Sequence, residues 1–378
     1  MSIFNNNLNT FGLDLSDRTI KVAQLRRNGD KLKLAGYNRE EIPEGIIMNG
    51  EIKKGDELAK IIKKTVSESK PRPISAKFVV YSIPETKGFI RVIRLPEVKK
   101  ENMVREIAEK SEQFFPISIK DSYFDWQVLL QETKNKEVEV LVAAAPQEII
   151  DSYSKVFKKA GLEPVAAEIE SIAIARSLIN QRQSSRPVLI IDLGKDRTSF
   201  IIFKKPVIQF TASIPICGNE FNKAIAKEFS VSTDEAEKIK LECGLNRQKR
   251  SSRAYKAMLP SLVELVKYIS KLLDYYQEHF SPEFYSEIQG ESLELKKSSR
   301  LAEKDSFPIS KVIVCGGEAK IPGMDFYLSL QIKKEIERGN PWVNIISSDS
   351  DEIPPISRED SLVFVTVLGL AMREVGEH

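Results

Sequence analysis

Histidine is nearly missing: His279 and His378 are the only two in 378 residues. That inventory excludes a histidine-based hydrolytic triad or a histidine-ligated metal as the centre of any chemistry. Cysteine is scarce too. Cys217, Cys243 and Cys315 are odd in number and lack C-x-x-C spacing, so neither a disulfide framework nor a zinc site is indicated, and a reducing compartment is expected. No apolar run approaches a bilayer span: the most apolar tail stretch, Ser361 to Met372, is far too short, and "MSIFNNNLNTF" has no basic region leading into an apolar one. A cytosolic chain that reaches a membrane through a partner or a surface contact is expected. An excess of either charge is also lacking, since Lys+Arg 57 against Asp+Glu 54 leaves +3. This balance does not predict a nucleic-acid binder. The densest basic stretch, "LNRQKRSSRAYK" from Leu245 to Lys256, has no interleaved aromatic platform and reads as a solvated loop, with contact to an anionic membrane the lesser reading.

What is present is an ordinary globular composition, 42% hydrophobic and 29% charged, in a chain long enough for two lobes. "FGLDLS", "TIKVAQLRR" and "KLKLAGYNREEI" read as three successive strands, with turns at Asp17-Arg18 and Asn28-Gly29. A helical face of Leu58, Ile61, Ile62, Thr65 and Val66 follows, then "FVVYSI". The second half repeats the order with "PVLIIDLG", "RTSFIIFK", "PVIQFTASI" and a helix whose Phe221, Ala224, Ile225 and Phe229 share one side. Two similar lobes, each opening with the same Asp-bearing hairpin, explain the repetition better than coincidence. Between them the first half carries a strand, a helix and two more strands that suggest a small α+β insert. The second half carries a helix capped by Ser232 or Thr233 and ending at Gly244, then a long amphipathic helix from Met258 to Phe280 through Leu262, Val263, Val266, Ile269, Leu273 and Tyr276. Ser281 to Pro308 has no clear periodicity and reads as a mobile surface loop.

A strand that ends in Asp and feeds a tight turn of small or hydroxyl residues can set backbone N–H groups around a phosphate, leaving the carboxylate to hold a hydrated Mg²⁺. On that reading Ser16, Asp17, Arg18 and Thr19 form one phosphate turn and Gly194, Lys195 and Thr198 the other. Asp14 and Asp192 reach the metal through water, and Lys21 either neutralises phosphate charge or lies exposed. Each turn alone is a weak signal, because Asp at turns is common for local hydrogen-bonding reasons. A third piece is "VIVCGGEAKIPGM", where Gly316-Gly317 ends a β-branched strand and allows close backbone approach to a flat ligand or phosphate.

Those pieces in that order, with Glu237 and Lys240 spaced i, i+3 on the preceding helix, resemble the actin-like ATPase superfamily. "LPEVKKENMVREIAEKSEQFFP", "AGLEPVAAEIESIAIARSL", "STDEAEKIKLECGL" and "LVFVTVLGLAMRE" are similar to segments of the PilM family of type IV pilus assembly proteins. The resemblance implies an α/β chain of two ribonuclease-H-like lobes around a nucleotide cleft: a first lobe over 1–186 with an insert at about 84–162, and a second over 187–378 with a helical subdomain at about 216–308. It further implies ATP and Mg²⁺ as cofactors, with Glu237, Lys240, Gly316 and Gly317 on the adenosine. A PilN-like inner-membrane protein is implied as partner, its cytoplasmic N-terminal peptide held in a groove bordered by the insert, together with other pilus assembly proteins and self-association. Glu170, in "AEIESIA", matches an acidic position near the cleft and is the candidate for positioning a hydrolytic water, an N-terminal helix contact being the competing role. Ser16 stands where the family usually has Gly, which puts tight binding and turnover in question.

Two other readings compete with an ATP-switched adaptor. A filament-forming membrane tether like FtsA shares the fold, but "REVGEH" is not the linker and basic amphipathic helix such a tether ends in. A small-molecule kinase of the superfamily would use Asp14 or Asp192 as base, and no polar cluster specifies a sugar.

Overall fold

The structure is a computed structural model that describes residues 9–29, 31–96, 100–130, 137–180, 186–204, 207–245, 249–279, 309, 311–346 and 353–376. The expected loop at Ser281–Pro308 lies outside them. Two compact units form, one from Met1–Gln183, Pro206–Ser213 and Asn340–His378, the other from Ser184–Lys205 and Ile214–Gly339.

In the first unit, β1 (Thr10–Leu15) is buried along its whole length. β2 (Thr19–Asn28) pairs with it antiparallel, and β3 (Lys31–Glu41) extends the meander through a turn where Gly29 takes φ +62°. After two short strands, β4 (Ile47–Met48) and β5 (Glu51–Ile52), helix α1 (Gly55–Ser67) buries Leu58, Ile62 and Val66. It returns the chain to β6 (Phe78–Ile83), parallel to β1. The insert then runs through β7 (Phe89–Pro96), α2 (Lys100–Ser111), β8 (Ser122–Leu130) and β9 (Glu137–Pro146), before α3 (Gln147–Lys159), β10 (Glu163–Ile169) and α4 (Glu170–Leu178). The main sheet has the order β10-β6-β1-β2-β3.

The second sheet and its helices repeat this plan. β11 (Val188–Leu193), β12 (Thr198–Lys204) and β13 (Val207–Ile214) form a meander, followed by α5 (Gly218–Phe229), α6 (Thr233–Cys243) and α7 (Lys249–His279). β14 (Lys311–Cys315), α8 (Met324–Ile332) and β15 (Ile336–Arg338) complete it, in the order β13-β12-β11-β14-β15. In both sheets two parallel strands extend the meander on the side of its first strand. The repeated hairpin is therefore the visible part of a repeated sheet.

Two expectations change at the level of packing. The C-terminal helix α9 (Val365–Gly376) lies on the first sheet, where Leu368, Met372 and Trp342 share a core with Ala23 and Leu25 of β2. By contacts the second unit thus stops at Gly339 and not at 378. Two glycines allow this: a Cβ on Gly12 would fall 2.5 Å from the Val367 carbonyl oxygen, and one on Gly369 would strike the carbonyl of Ala173 in α4. The insert has its own core around Ile93, Met103, Ile107 and Val140 under a sheet of order β7-β9-β8. Helix α3, placed within the insert by the 84–162 expectation, instead sends Ile149, Tyr153 and Phe157 into the core of the first sheet.

In the second unit, Ser232 and not Thr233 caps α6, in a capping box with Glu235, and Gly244 ends the helix. Helix α7 begins earlier than expected, so Lys249–Lys256 is helical and not a loop; Arg253 pairs with Glu228 at 2.9 Å and lies 4.5 Å from the Phe229 ring centre. Its buried stripe runs through Met258, Leu262, Leu265, Ile269, Leu272 and Tyr276, while Val263 is exposed.

Candidate functional site

In the first hairpin, Asp14 is buried at the end of β1, and its carboxylate accepts bonds from Lys21 Nζ at 2.8 Å and Ser82 Oγ at 2.7 Å. Register explains the first bond, since Asp14 and Lys21 are directly opposite across β1 and β2. Ser16 closes the turn by itself. Its N–H donates to the Thr19 carbonyl at 2.9 Å, and its Oγ accepts the N–H groups of Thr19 at 3.0 Å and Arg18 at 3.4 Å. The amides offered to a phosphate by the sequence reading meet a serine hydroxyl first. Asp17 is committed to the N–H groups of Asn49 (2.6 Å) and Gly50 (2.9 Å), and Arg18 pairs with Glu44 at 3.1 Å.

The second hairpin is stitched to α5. The carbonyls of Gly194 and Lys195 accept the N–H groups of Gly218 and Asn219 at 3.1 and 2.9 Å, and the Gly194 N–H donates to the Arg197 carbonyl at 3.0 Å. A Cβ on Gly194 would lie 2.7 Å from that same oxygen, so the turn itself requires glycine. Thr198, 1% exposed, gives its hydroxyl to the Ile216 carbonyl at 2.6 Å and has no hydroxyl proton left for a phosphate. Lys195 pairs with Glu237 at 2.7 Å, both side chains about a third exposed. The Cys315 thiol donates to Asp192 Oδ1 at 3.7 Å, and burial, followed by that carboxylate, pushes the thiol well above its usual range.

Gly316 takes φ +86°, and a Cβ there would lie 2.4 Å from Asp192 Oδ1, so the Gly-Gly and the second Asp are brought together. Gly317 opens the short helical turn that runs to Lys320. Within it Glu318, a residue that sequence reading missed, forms a 2.6 Å ion pair with Lys240; the side chains are 7% and 1% exposed. Burial pushes the Glu318 carboxyl upward against the pull of Lys240. A Cβ on Gly218 would collide with the Glu318 carboxylate, so the glycine at the start of α5 makes room for it. A charged residue directly after Gly-Gly, with a Lys on the inner side of a preceding helix, is the signal that could have found the pair. Glu170 sits in the first turn of α4, and its carboxylate accepts the N–H of Glu85, in the turn between β6 and β7, at 3.2 Å.

These residues fit a nucleotide unevenly. Lys195 is a cation in a partly exposed pair that an anion can exchange, Lys21 is held in a largely buried pair with Asp14, and Asp14 and Asp192 are carboxylates at the ends of equivalent strands. Ser16, Thr198 and Lys240 are engaged inside their own units.

A groove of about 510 Å³ lies within the first unit, between two sheet edges. β8 is the outer strand of the insert sheet and β10 the outer strand of the main sheet. Its apolar lining includes Ile83, Trp126, Ile150 and Ile172. Arg176 adds charge there, held bidentate by Glu168 at 2.5 and 2.6 Å and bonded to the Gly369 carbonyl at 3.0 Å.

A family model described as type IV pilus assembly protein PilM matches residues 12–288. The chain is similar to the cell division protein FtsA of Streptococcus pneumoniae, 22% identical over 342 residues covering 83% of this chain and 71% of that protein. FtsA of Bacillus subtilis is 22% identical over 266 residues, 64% of this chain and 59% of that one. Among solved structures, a chain of a PilM-PilN type IV pilus biogenesis complex gives a TM-score of 0.78 at 22% identity, with 98% of this chain and 99% of that chain covered. MreB5 of Spiroplasma citri bound to AMPPNP gives 0.52 at 14% identity, covering 97% and 96%. The fold is the actin-like ATPase fold.

Proposed function

The chain belongs to the family of type IV pilus assembly protein PilM, and on that premise we propose that it is an adaptor that grips a short cytoplasmic peptide of a PilN-like inner-membrane protein. The observation that carries this reading is the groove between β8 and β10. Each wall is an edge strand, whose outward N–H and C=O groups have no neighbouring strand among the described residues, and an extended peptide can add to such an edge while its alternate side chains enter the apolar floor. The charged pair of Glu168 and Arg176 gives the groove a fixed polar point against which a peptide can be registered.

Held this way, the chain sits at the inner face of the membrane through its partner and connects that partner to other pilus assembly proteins. We assign ATP with Mg²⁺ the role of a conformational ligand with slow or no hydrolysis. Bound, it would bring negative charge to Lys21 and Lys195, and its metal would be held by Asp14 and Asp192. Glu170, at the start of α4, is the residue we assign to the attacking water where turnover occurs.

The test is capture of a fluorescein-labelled synthetic peptide of the partner's cytoplasmic N-terminus, followed by anisotropy. Ile172→Arg, which puts a charge on the apolar floor, is expected to weaken capture at least about tenfold, as an unpaired charge in an apolar site does. Undiminished capture would remove the groove from this role. A fluorescent ATP analogue with Mg²⁺, titrated against wild type and Asp192→Asn with phosphate release followed in parallel, separates a binding switch from a turnover enzyme.

A further inference from the structure

Within the first unit a run of hydrogen bonds leads from the first hairpin turn to the groove. Asp17 holds the N–H groups of Asn49 and Gly50 at 2.6 and 2.9 Å. Both residues have positive φ, +52° and +75°. For Asn49 this is a backbone state that needs support from its surroundings, and the Asp17 carboxylate provides it. On the other side of the same turn the Gly50 carbonyl accepts the hydroxyl of Tyr153 at 3.0 Å. Tyr153 belongs to α3, is 1% exposed, and stacks on Tyr81 with ring centres 6.0 Å apart. Less than one helical turn away on α3, Ile150 lines the groove and Asp151 accepts the hydroxyl of Tyr123 at 3.2 Å. Tyr123 lines the groove from β8.

Phenylalanine would fill the space of the Tyr153 ring equally well. The buried hydroxyl is explained by its one bond to Gly50, and burial, with Glu170, Asp17 and Asp14 nearby, pushes the phenol upward so that it remains a donor. The Asp17 carboxylate is likewise spent on Asn49 and Gly50 and not on the turn that contains it.

We infer that Asp17 and Tyr153 are positioning residues that set the groove wall from the first hairpin turn, with α3 as the strut between them. A displacement of the turn shifts Gly50, Gly50 shifts Tyr153, and α3 carries Ile150 and Asp151 with it against β8. Two ends joined by one rigid element in this way are coupled reciprocally, so a peptide in the groove also biases the turn. The adaptor reading supplies the ligand for this inference; the geometry stands without it.

The experiment measures peptide affinity for wild type, Asp17→Asn, Tyr153→Phe and the double variant, with Ser232→Ala as a control that removes a helix cap in the other unit. Each single variant is expected to weaken capture about threefold, the double no more than either single, and the control not at all, because residues acting through one element are not additive. A double variant near the product of the two losses, or singles indistinguishable from wild type, overturns the inference. If wild type fails to capture the peptide, the adaptor reading fails separately, and the same variants are read by hydrogen exchange of the Tyr123–Gln127 amides. Faster exchange there in both Asp17→Asn and Tyr153→Phe supports the strut, and unchanged exchange overturns it.

Discussion

One hydroxyl decides what the amides of Arg18 and Thr19 face. Replacing Ser16 by Gly removes the oxygen that accepts them and leaves two donors for an anion. A fluorescent ATP analogue is therefore expected to bind Ser16→Gly about three- to tenfold more tightly than wild type, the net worth of about one hydrogen bond. Equal or weaker binding would show that phosphates do not use this turn. The Lys240–Glu318 pair works the other way. Lys240→Met strands a buried carboxylate and is expected to cost about 3–5 kcal/mol in urea unfolding, whereas Lys240→Met with Glu318→Leu recovers most of it. Because burial raises the Glu318 carboxyl from its ordinary 4.5, its ionised form is held at a cost at neutral pH. Protonation as pH falls through the raised value relieves that cost, and the gain ends below about 4.5, where the unfolded chain is protonated as well. Measured as urea midpoints at pH 7 and pH 5, wild type should gain relative to Glu318→Gln on acidification; a relative loss would reverse the sign of the shift.

At the scale of elements, the crossing of α4 and α9 depends on Gly369, whose added Cβ would meet the backbone of Ala173. Backbone cannot rotate aside as a side chain can, so Gly369→Ala is expected to destabilise the chain by about 2–3 kcal/mol, read from its unfolding midpoint. The elements themselves were largely legible. Runs such as "LIIDL" and the Asn28-Gly29 turn carry their structure locally, and the α6 capping box is written in four consecutive residues. The inner face of α7 was less so, because Leu262 and Val263 are both apolar. Only packing decides that Leu265 and Leu272 turn inward and Val263 outward. The candidate site was legible in position and not in partnership. Residue type and turn spacing marked Asp14, Ser16, Asp192 and Gly316, but nothing local says that Thr198 will meet the Ile216 carbonyl, or that Lys240 will meet Glu318. The groove needed two sheet edges far apart in sequence, for which no motif exists.

For the molecule as a whole, the first unit is assembled from both ends of the chain. Truncation after Gly339 removes Trp342, Leu368 and Met372 from the core that covers β2, and several such side chains are each worth about 1.5–3 kcal/mol. The truncated chain is expected to lose hydrogen-exchange protection in β1 and β2 while β11 and β12 keep theirs. Retained protection in β1 would mean that α9 is dispensable packing. The same arrangement has a consequence for synthesis. Ala23 and Leu25 are made early and Leu368 late, so at typical ribosomal rates of about 5–20 residues per second the face they form waits roughly 20–70 s for its cover. The second unit has its residues in hand sooner. Arg373, which lines the groove from α9, is made after the lining residues of β8 and β10. A nascent chain released short of it lacks one side of the groove, so the order of synthesis alone sets incomplete copies apart in the peptide capture proposed above.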